Sequence, residues 1–213
     1  MRTRIKICGI TREQDAACAA RSGADAIGLV FYAPSPRCVS MEKARQLATC
    51  LPPFVSVVAL FVDPPAAEVR AVLERVRPHA LQFHGDETAQ FCESFAVPYI
   101  KAMRMSPAID LLQCARDFAG ARALLLDADV KGYGGGGKSF DWNLIPPRLP
   151  LPIILSGGLH ADNIVEAVRK VRPWAVDVSS GVEALHADGT TVKGIKDPAR
   201  ISAFIEEVRN ADG

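Results

Sequence analysis

Ala123-Leu124-Leu125-Leu126-Asp127 is a run of four apolar residues that stops on a carboxylate. It lacks the apolar–polar alternation of a strand with one wet face. A strand apolar on both sides belongs in a parallel sheet covered by helices. Working outward, runs of the same character recur at 4–8, 26–30, 55–62, 80–84, 99–102, 153–156 and 175–179. Helical stretches with readable starts lie between them. Thr11-Arg12-Glu13-Gln14 has the form of a capping box. Ser106-Pro107 and Asp197-Pro198 each put an N-cap before a proline, and Ser40 precedes a helical stretch at 41–50.

Eight strands in 213 residues is about 27 residues per unit, close to the ~30 of a β-α repeat. Strands alternating with helices predict a parallel sheet. Eight such units suggest closure into a (β/α)8 barrel, compact beside the ~250 residues more usual for one. The same alternation also suits an open doubly wound sheet. No linker interrupts the chain, so one domain over residues 1–213 is expected.

Composition removes several classes. Lysine plus arginine number 25 against 24 aspartates and glutamates, a formal net charge of +1. Nucleic-acid binders usually show a basic excess, so none is expected here. No apolar run approaches the ~18 residues of a membrane span. Met1-Arg2-Thr3-Arg4-Ile5-Lys6 has charge but no apolar stretch behind it, so a secretory leader is not expected either. Cys8, Cys18, Cys38, Cys50, Cys92 and Cys114 include no C-x-x-C pair. Free thiols in the cytoplasm fit them better than disulfides. His79, His84, His160 and His186 show no ligand spacing, so no metal is expected.

In a barrel of this kind the chemistry sits where the strands end. Those ends read Lys6-Ile7-Cys8-Gly9, Gln82-Phe83-His84-Gly85, Leu126-Asp127 and Asp177-Val178-Ser179-Ser180-Gly181. Alternation puts Lys6 with Cys8, Gln82 with His84 and Asp177 with Ser179. A buried cysteine is ordinarily an inert small hydrophobe. Cys8 stands before a glycine at a strand end, with Lys6 about 6.6 Å away on the same face, where a cation can favour the thiolate. An aspartate in the place of Asp127 often only caps a turn. Its apolar approach, however, favours a carboxyl able to deliver a proton. Such a pair suits proton-shuttling isomerisation, and other chemistry as well.

The glycine turns say more. Ser156-Gly157-Gly158 closes strand seven and Ser179-Ser180-Gly181 closes strand eight. Loops in those two places are the recurring phosphate site of barrels, and glycine lets backbone N–H groups cradle an anion. Gly132-Tyr133-Gly134-Gly135-Gly136-Gly137-Lys138-Ser139 also matches the P-loop spelling. A working P-loop follows its strand closely and opens a long helix. Here residues 128–131 intervene and Pro146-Pro147 follow soon after. A glycine-rich lid at 134–137 is the better expectation.

Lys6-Ile7-Cys8-Gly9-Ile10-Thr11 brings in a family. So do Gly23-Ala24-Asp25-Ala26-Ile27-Gly28, Ser35-Pro36-Arg37, Leu81-Gln82-Phe83-His84-Gly85, Phe140-Asp141-Trp142, Leu155-Ser156-Gly157-Gly158-Leu159 and Asp177-Val178-Ser179-Ser180-Gly181-Val182-Glu183. From about Lys6 to Ile205 the chain resembles the phosphoribosylanthranilate isomerases of tryptophan biosynthesis. The resemblance implies a (β/α)8 barrel performing an Amadori rearrangement of N-(5-phosphoribosyl)anthranilate, a small phosphosugar, without cofactor or protein partner. It implies Cys8 as general base and Asp127 as general acid. Arg37 would hold the anthranilate carboxylate, and His84 and Asp177 would line the pocket. Gly157, Gly158, Ser180 and Gly181 would surround the phosphate.

The chain departs from the family's habits in places. Cys38 follows Arg37 where a larger residue is common, and Ala128 follows Asp127 where a hydroxyl often stands. The glycine run is four long, and a polar stretch over 185–196 precedes the last helix. Two rivals share the phosphate turns. Another phosphosugar barrel enzyme leaves Cys8 with Arg37 unexplained, and a phosphoribosyl-binding protein needs no acid–base pair.

Overall fold

Leu125 packs inside a closed barrel while Leu124 and Leu126 pack outside it. In the computed structural model, which describes residues 2–128 and 139–213, Leu125 joins an inner apolar plug with Val58, Ile100, Ala102, Ile154 and Ala175. Leu124 and Leu126 meet Met103, Leu111 and Ala115 on the outer side. This two-sided burial is why the run reads as apolar throughout. Asp127, two residues past Leu125 on the same face, stands above the plug.

The barrel strands are β1 (Arg4–Cys8), β2 (Ala26–Phe31), β3 (Ser56–Phe61), β4 (Ala80–Phe83), β5 (Tyr99–Met105), β6 (Ala123–Ala128), β7 (Ile153–Leu155) and β8 (Ala175–Val178). They pair in chain order and close on themselves. The seam is the parallel pairing of β1 with β8, where Lys6 stands opposite Asp177. The closed reading therefore holds and the open sheet does not.

Helices α1 (Glu13–Ser22), α2 (Met41–Thr49), α3 (Ala66–Arg75), α4 (Ala89–Glu93), α5 (Leu111–Asp117), α6 (Ala161–Val171) and α7 (Pro198–Asp212) cover the outside. Among the described residues no α-helix lies between β6 and β7. A short 3-10 turn, Trp142–Leu144, stands there instead, just ahead of the two prolines that stop a helix. The glycine run at 134–137, expected to form a lid, lies outside the described residues, as does most of the P-loop spelling.

Two expected caps are present and two are not. Ser40 accepts from Lys43 N–H, and Asp197 accepts from the N–H groups of Ala199 and Arg200. Thr11 is not the cap of α1. The N-cap is Arg12, without a side-chain bond, and the Thr11 hydroxyl donates to Gly194 O at 2.5 Å. Ser106-Pro107 forms a turn, and α5 starts later under Asp110, which accepts from Gln113 N–H.

The polar stretch over 185–196 contains most of an antiparallel hairpin, β9 (Glu183–Leu185) with β10 (Thr191–Lys196). Its turn is built on Asp188, whose Oδ1 accepts from Thr190 N–H at 2.9 Å and Thr190 Oγ1 at 2.6 Å. Among the described residues the six cysteines are all unpaired. No helix described is long and apolar enough to cross a membrane.

Candidate active site

Cys8 is the last residue of β1, and Gly28 of β2 makes room for it. A Cβ at Gly28 would lie 2.7 Å from Cys8 Sγ and 3.0 Å from Lys6 Nζ. Thiol and ammonium thus share the space above one glycine. Lys6 Nζ donates to both Asp177 oxygens at 2.9 Å. Burial works against the charge on Lys6, but Asp177 and Cys8 outweigh it and raise its pKa. Burial pushes the Cys8 thiol up, and Lys6 only partly offsets this because Asp177 opposes it. The expected cation is in place, yet burial favours the thiol form of Cys8.

Asp127 is 7% exposed and held from two sides. Oδ1 accepts from Ala128 N–H at 2.9 Å, and Oδ2 lies 3.1 Å from His84 Nε2. Behind the imidazole, Gln82 Nε2 stands 3.0 Å from His84 Nδ1. An amide nitrogen only donates, so in this orientation Nδ1 accepts and Nε2–H points at Asp127. Gln82 is wholly buried, and its Oε1 has no hydrogen-bond partner among the described residues.

Arg37 follows β2 and lies over Gly9, whose φ of +73° turns the chain at the barrel rim. Its Nε and Nη2 donate to Glu183 Oε1 and Oε2 at 2.7 and 2.8 Å. The residue expected to meet substrate is therefore already gripped from behind by β9. Burial disfavours the Glu183 charge, but Arg37 and Lys196 outweigh it and hold the carboxyl below its ordinary range. Neither Glu183 nor Lys196 was an expected site residue. Their only local sign is a charge next to the strand-eight turn and another before the last helix cap.

Gly157 and Gly158 adopt positive φ values of +83° and +63°. Asn163 on α6 pins their turn, donating from Nδ2 to Gly158 O at 2.9 Å. Gly157, Gly158 and Ser180 line one pocket with Cys8 and Asp127. Arg37, His84 and Asp177 line it too, as do Gln82 and Ser179. Gly181 is not among the lining residues. A Cβ there would fall 1.9 Å from Leu159 O, so its bareness serves the packing of the β8 turn on the β7 turn.

In barrel order the site runs from Asp127 on β6, past the β7 and β8 turns, to Cys8 on β1 and then Arg37 after β2. A thiol and a carboxyl three strands apart thus share one cleft, with two glycine turns between them and a guanidinium beyond. The arrangement can bind a doubly anionic molecule and move protons within it.

Comparison with known proteins agrees. Residues 5–207 match the family model described as N-(5'phosphoribosyl)anthranilate (PRA) isomerase. The chain is 57% identical over 212 residues to N-(5'-phosphoribosyl)anthranilate isomerase of Dechloromonas aromatica, covering 100% of this chain and 99% of that one. Phosphoribosyl anthranilate isomerase from Thermotoga maritima superposes with a TM-score of 0.87 at 41% identity, covering 98% and 99% of the two chains. A structure of such an isomerase in complex with reduced 1-(o-carboxyphenylamino)-1-deoxyribulose 5-phosphate gives 0.84 at 39% identity, covering 98% and 99%. With matched motifs and a matched barrel over nearly its whole length, the chain belongs to the phosphoribosylanthranilate isomerase family.

Proposed function

We propose that this chain converts N-(5-phosphoribosyl)anthranilate to 1-(2-carboxyphenylamino)-1-deoxyribulose 5-phosphate with Cys8 as general base and Asp127 as general acid. As a family member it is an isomerase of tryptophan biosynthesis. What carries the assignment of roles is that a thiol from β1 and a carboxyl from β6 line the same cleft, the β7 and β8 turns lying between them.

Asp127 protonates the furanose ring oxygen. The anthranilate nitrogen pushes its electron pair into C1′, the ring C–O bond breaks, and an iminium forms. Cys8 then takes the proton from C2′, and the C–H electrons flow toward nitrogen to give an enolamine. The enolamine gains a proton at C1′ and loses one from its C2′ hydroxyl, leaving the ketone. No step calls for a metal or a redox group.

The order of events follows from the electrostatics. Burial favours the protonated form of Cys8 before substrate arrives, and in that form it cannot act as a base. An iminium forming beside it is a positive charge, which favours the thiolate. The thiol proton passes to solvent as that charge forms, so ring opening by the acid prepares the base. Phosphate in the cradle of Gly157, Gly158 and Ser180, with carboxylate at Arg37, pins both ends of the sugar and supplies the positioning. His84 orients Asp127, and Asp177 holds Lys6 beside the thiol.

The barrel over residues 1–213 acts as one catalytic domain on a small phosphosugar, with no nucleic acid, membrane or obligatory protein partner. Its unpaired thiols suit the reducing cytoplasm. The test is the fluorescence of phosphoribosylanthranilate in the presence of purified protein. Catalytic loss of signal is expected. Stoichiometric binding without turnover would instead make this a phosphoribosyl-binding protein.

A further inference from the structure

Glu183 and Lys196 belong to the β9–β10 hairpin, outside the eight barrel strands, yet they are 0% and 1% exposed. Besides the two bonds from Arg37, the Glu183 carboxylate accepts Gly194 N–H at 2.8 Å and Lys196 Nζ at 3.3 Å. Lys196 Nζ also donates to Ser179 O at 2.9 Å. The hairpin reaches this place by close contact with the Arg37 loop. Gly194 has a φ of +82°, and a Cβ on it would lie 3.2 Å from Pro36 O.

A guanidinium carries five N–H groups. Glu183 takes the Nε–Nη2 edge and leaves the Nη1–Nη2 edge, which can grip a second carboxylate in the same forked way. An arginine–glutamate pair alone is electrically neutral and draws an arriving anion weakly. With Lys196 the buried cluster holds two cations and one anion, so it carries one positive charge in excess. A carboxylate docking at Arg37 cancels that excess.

We propose that Glu183 and Lys196 are positioning residues that make Arg37 a carboxylate receptor: Glu183 aims its free edge, and Lys196 supplies the surplus charge. This rests on the reading that Arg37 meets the anthranilate carboxylate. It gives the hairpin a part in substrate choice.

The surplus charge is titratable. Burial pushes Lys196 down to about 8, against the pull of Glu183. Facing it are Glu183 on β9, Arg37 after β2 and Cys8 on β1, together with the uncharged Ser179 after β8. A bound carboxylate favours the protonated lysine, so by linkage its affinity is full below that pKa and falls as pH climbs through it.

The test compares two probes by calorimetry. One is reduced 1-(o-carboxyphenylamino)-1-deoxyribulose 5-phosphate, and the other is the same molecule without its aromatic carboxylate. Phosphate and Cys8 effects are common to both, so the ratio of affinities isolates the carboxylate. In wild type the ratio is expected to fall between one unit below and one unit above the lysine pKa. Lys196→Arg should flatten it at the high value and Lys196→Met at the low one. Glu183→Asp, which keeps the charge but shortens the reach to Arg37, should lower it ~10-fold and raise KM more than it lowers kcat.

A wild-type ratio that ignores pH overturns the proposal without any variant. So does a ratio unmoved in Glu183→Asp and Lys196→Met proteins with native circular dichroism. Equal affinity for the two probes in wild type would remove the Arg37 reading itself.

Discussion

Arg37 crosses the barrel rim directly over Gly9: a Cβ on Gly9 would lie 2.5 Å from Arg37 Cδ and 3.1 Å from Ser179 Oγ. The glycine after Cys8 therefore does more than turn the chain. It leaves the room in which the guanidinium stem lies.

Gly9→Ala follows from that relationship. The added methyl must displace Arg37, and the positive φ costs about 1–2 kcal/mol for an L residue. Thermal stability should drop, and affinity for the carboxylated probe should fall more than affinity for its decarboxylated counterpart. Equal losses for both would mean that Gly9 serves the backbone alone.

Cys8 titrates above an ordinary cysteine because it is buried and because Asp177 holds down the help from Lys6. A raised thiol pKa means that the neutral form persists at pH values where a free cysteine ionises. Alkylation of Cys8 should therefore be slow near neutrality and accelerate only in alkali, read by peptide mass spectrometry of the labelled protein. Cys8→Ser should lose at least ~100-fold in turnover, since a hydroxyl is a far poorer acid than a thiol. Fast labelling of Cys8 at neutral pH would contradict the thiol state and the sequence of proton transfers built on it.

The proposed acid and base should separate in single-turnover kinetics. Asp127→Asn keeps the size and the bond from Ala128 N–H but has no proton to give, so ring opening should stall. Cys8→Ser should pass ring opening and stop at the iminium. Each should cut turnover by at least ~100-fold while phosphate-bearing ligands still bind. Ring opening that proceeds unimpaired in Asp127→Asn would move the acid to His84, its neighbour at 3.1 Å.

Gly181 and Ser180 should respond in opposite ways. Gly181→Ala drives a methyl into the Leu159 carbonyl and should lower the melting temperature. Ser180→Ala should leave it nearly unchanged while weakening the phosphate-bearing probe. A Gly181→Ala protein as stable as wild type would show that the β8 turn can move away from the β7 turn.

The barrel is legible because each strand is buried on both faces, and Leu124, Leu125 and Leu126 display this at three consecutive positions. Strand lengths are less legible. β5 runs on to Met105, past Ala102 where the expected run ends and through the charged Arg104, because its register with β6 continues to Ala128. Thr11 fails as a cap for a tertiary reason: a carbonyl 183 residues away takes its hydroxyl. Ser106-Pro107 has the spelling of a helix start, but Asp110 offers a cap closer to the apolar face of α5.

The site divides similarly. Cys8, His84, Asp127 and Asp177 are legible as polar side chains at strand ends, a position that itself points to chemistry. Glu183 and Lys196 are not, because their meaning lies in Arg37, 146 residues from Glu183. The hairpin carrying them did leave a sign in Asp188-Gly189, a dipeptide that favours tight hairpin turns. Its flanks are too polar to read as strands on their own.

Lys6 and Asp177 are 171 residues apart, which gives the seam a kinetic meaning. Until β8 has been synthesised and docked, β1 lacks one neighbour and Lys6 lacks its counter-charge, so the pocket has no floor. Contacts of such long separation are slow to form because the loop entropy is lost before the contact rewards it. Arg4 offers a reporter, since its guanidinium lies 3.6 Å over the Trp174 ring across the same seam. In refolding from denaturant, Trp174 fluorescence followed in a Trp142→Phe background should recover in the same late phase as catalytic turnover. Turnover that returned before the Trp174 signal would place seam closure outside the step that assembles the site.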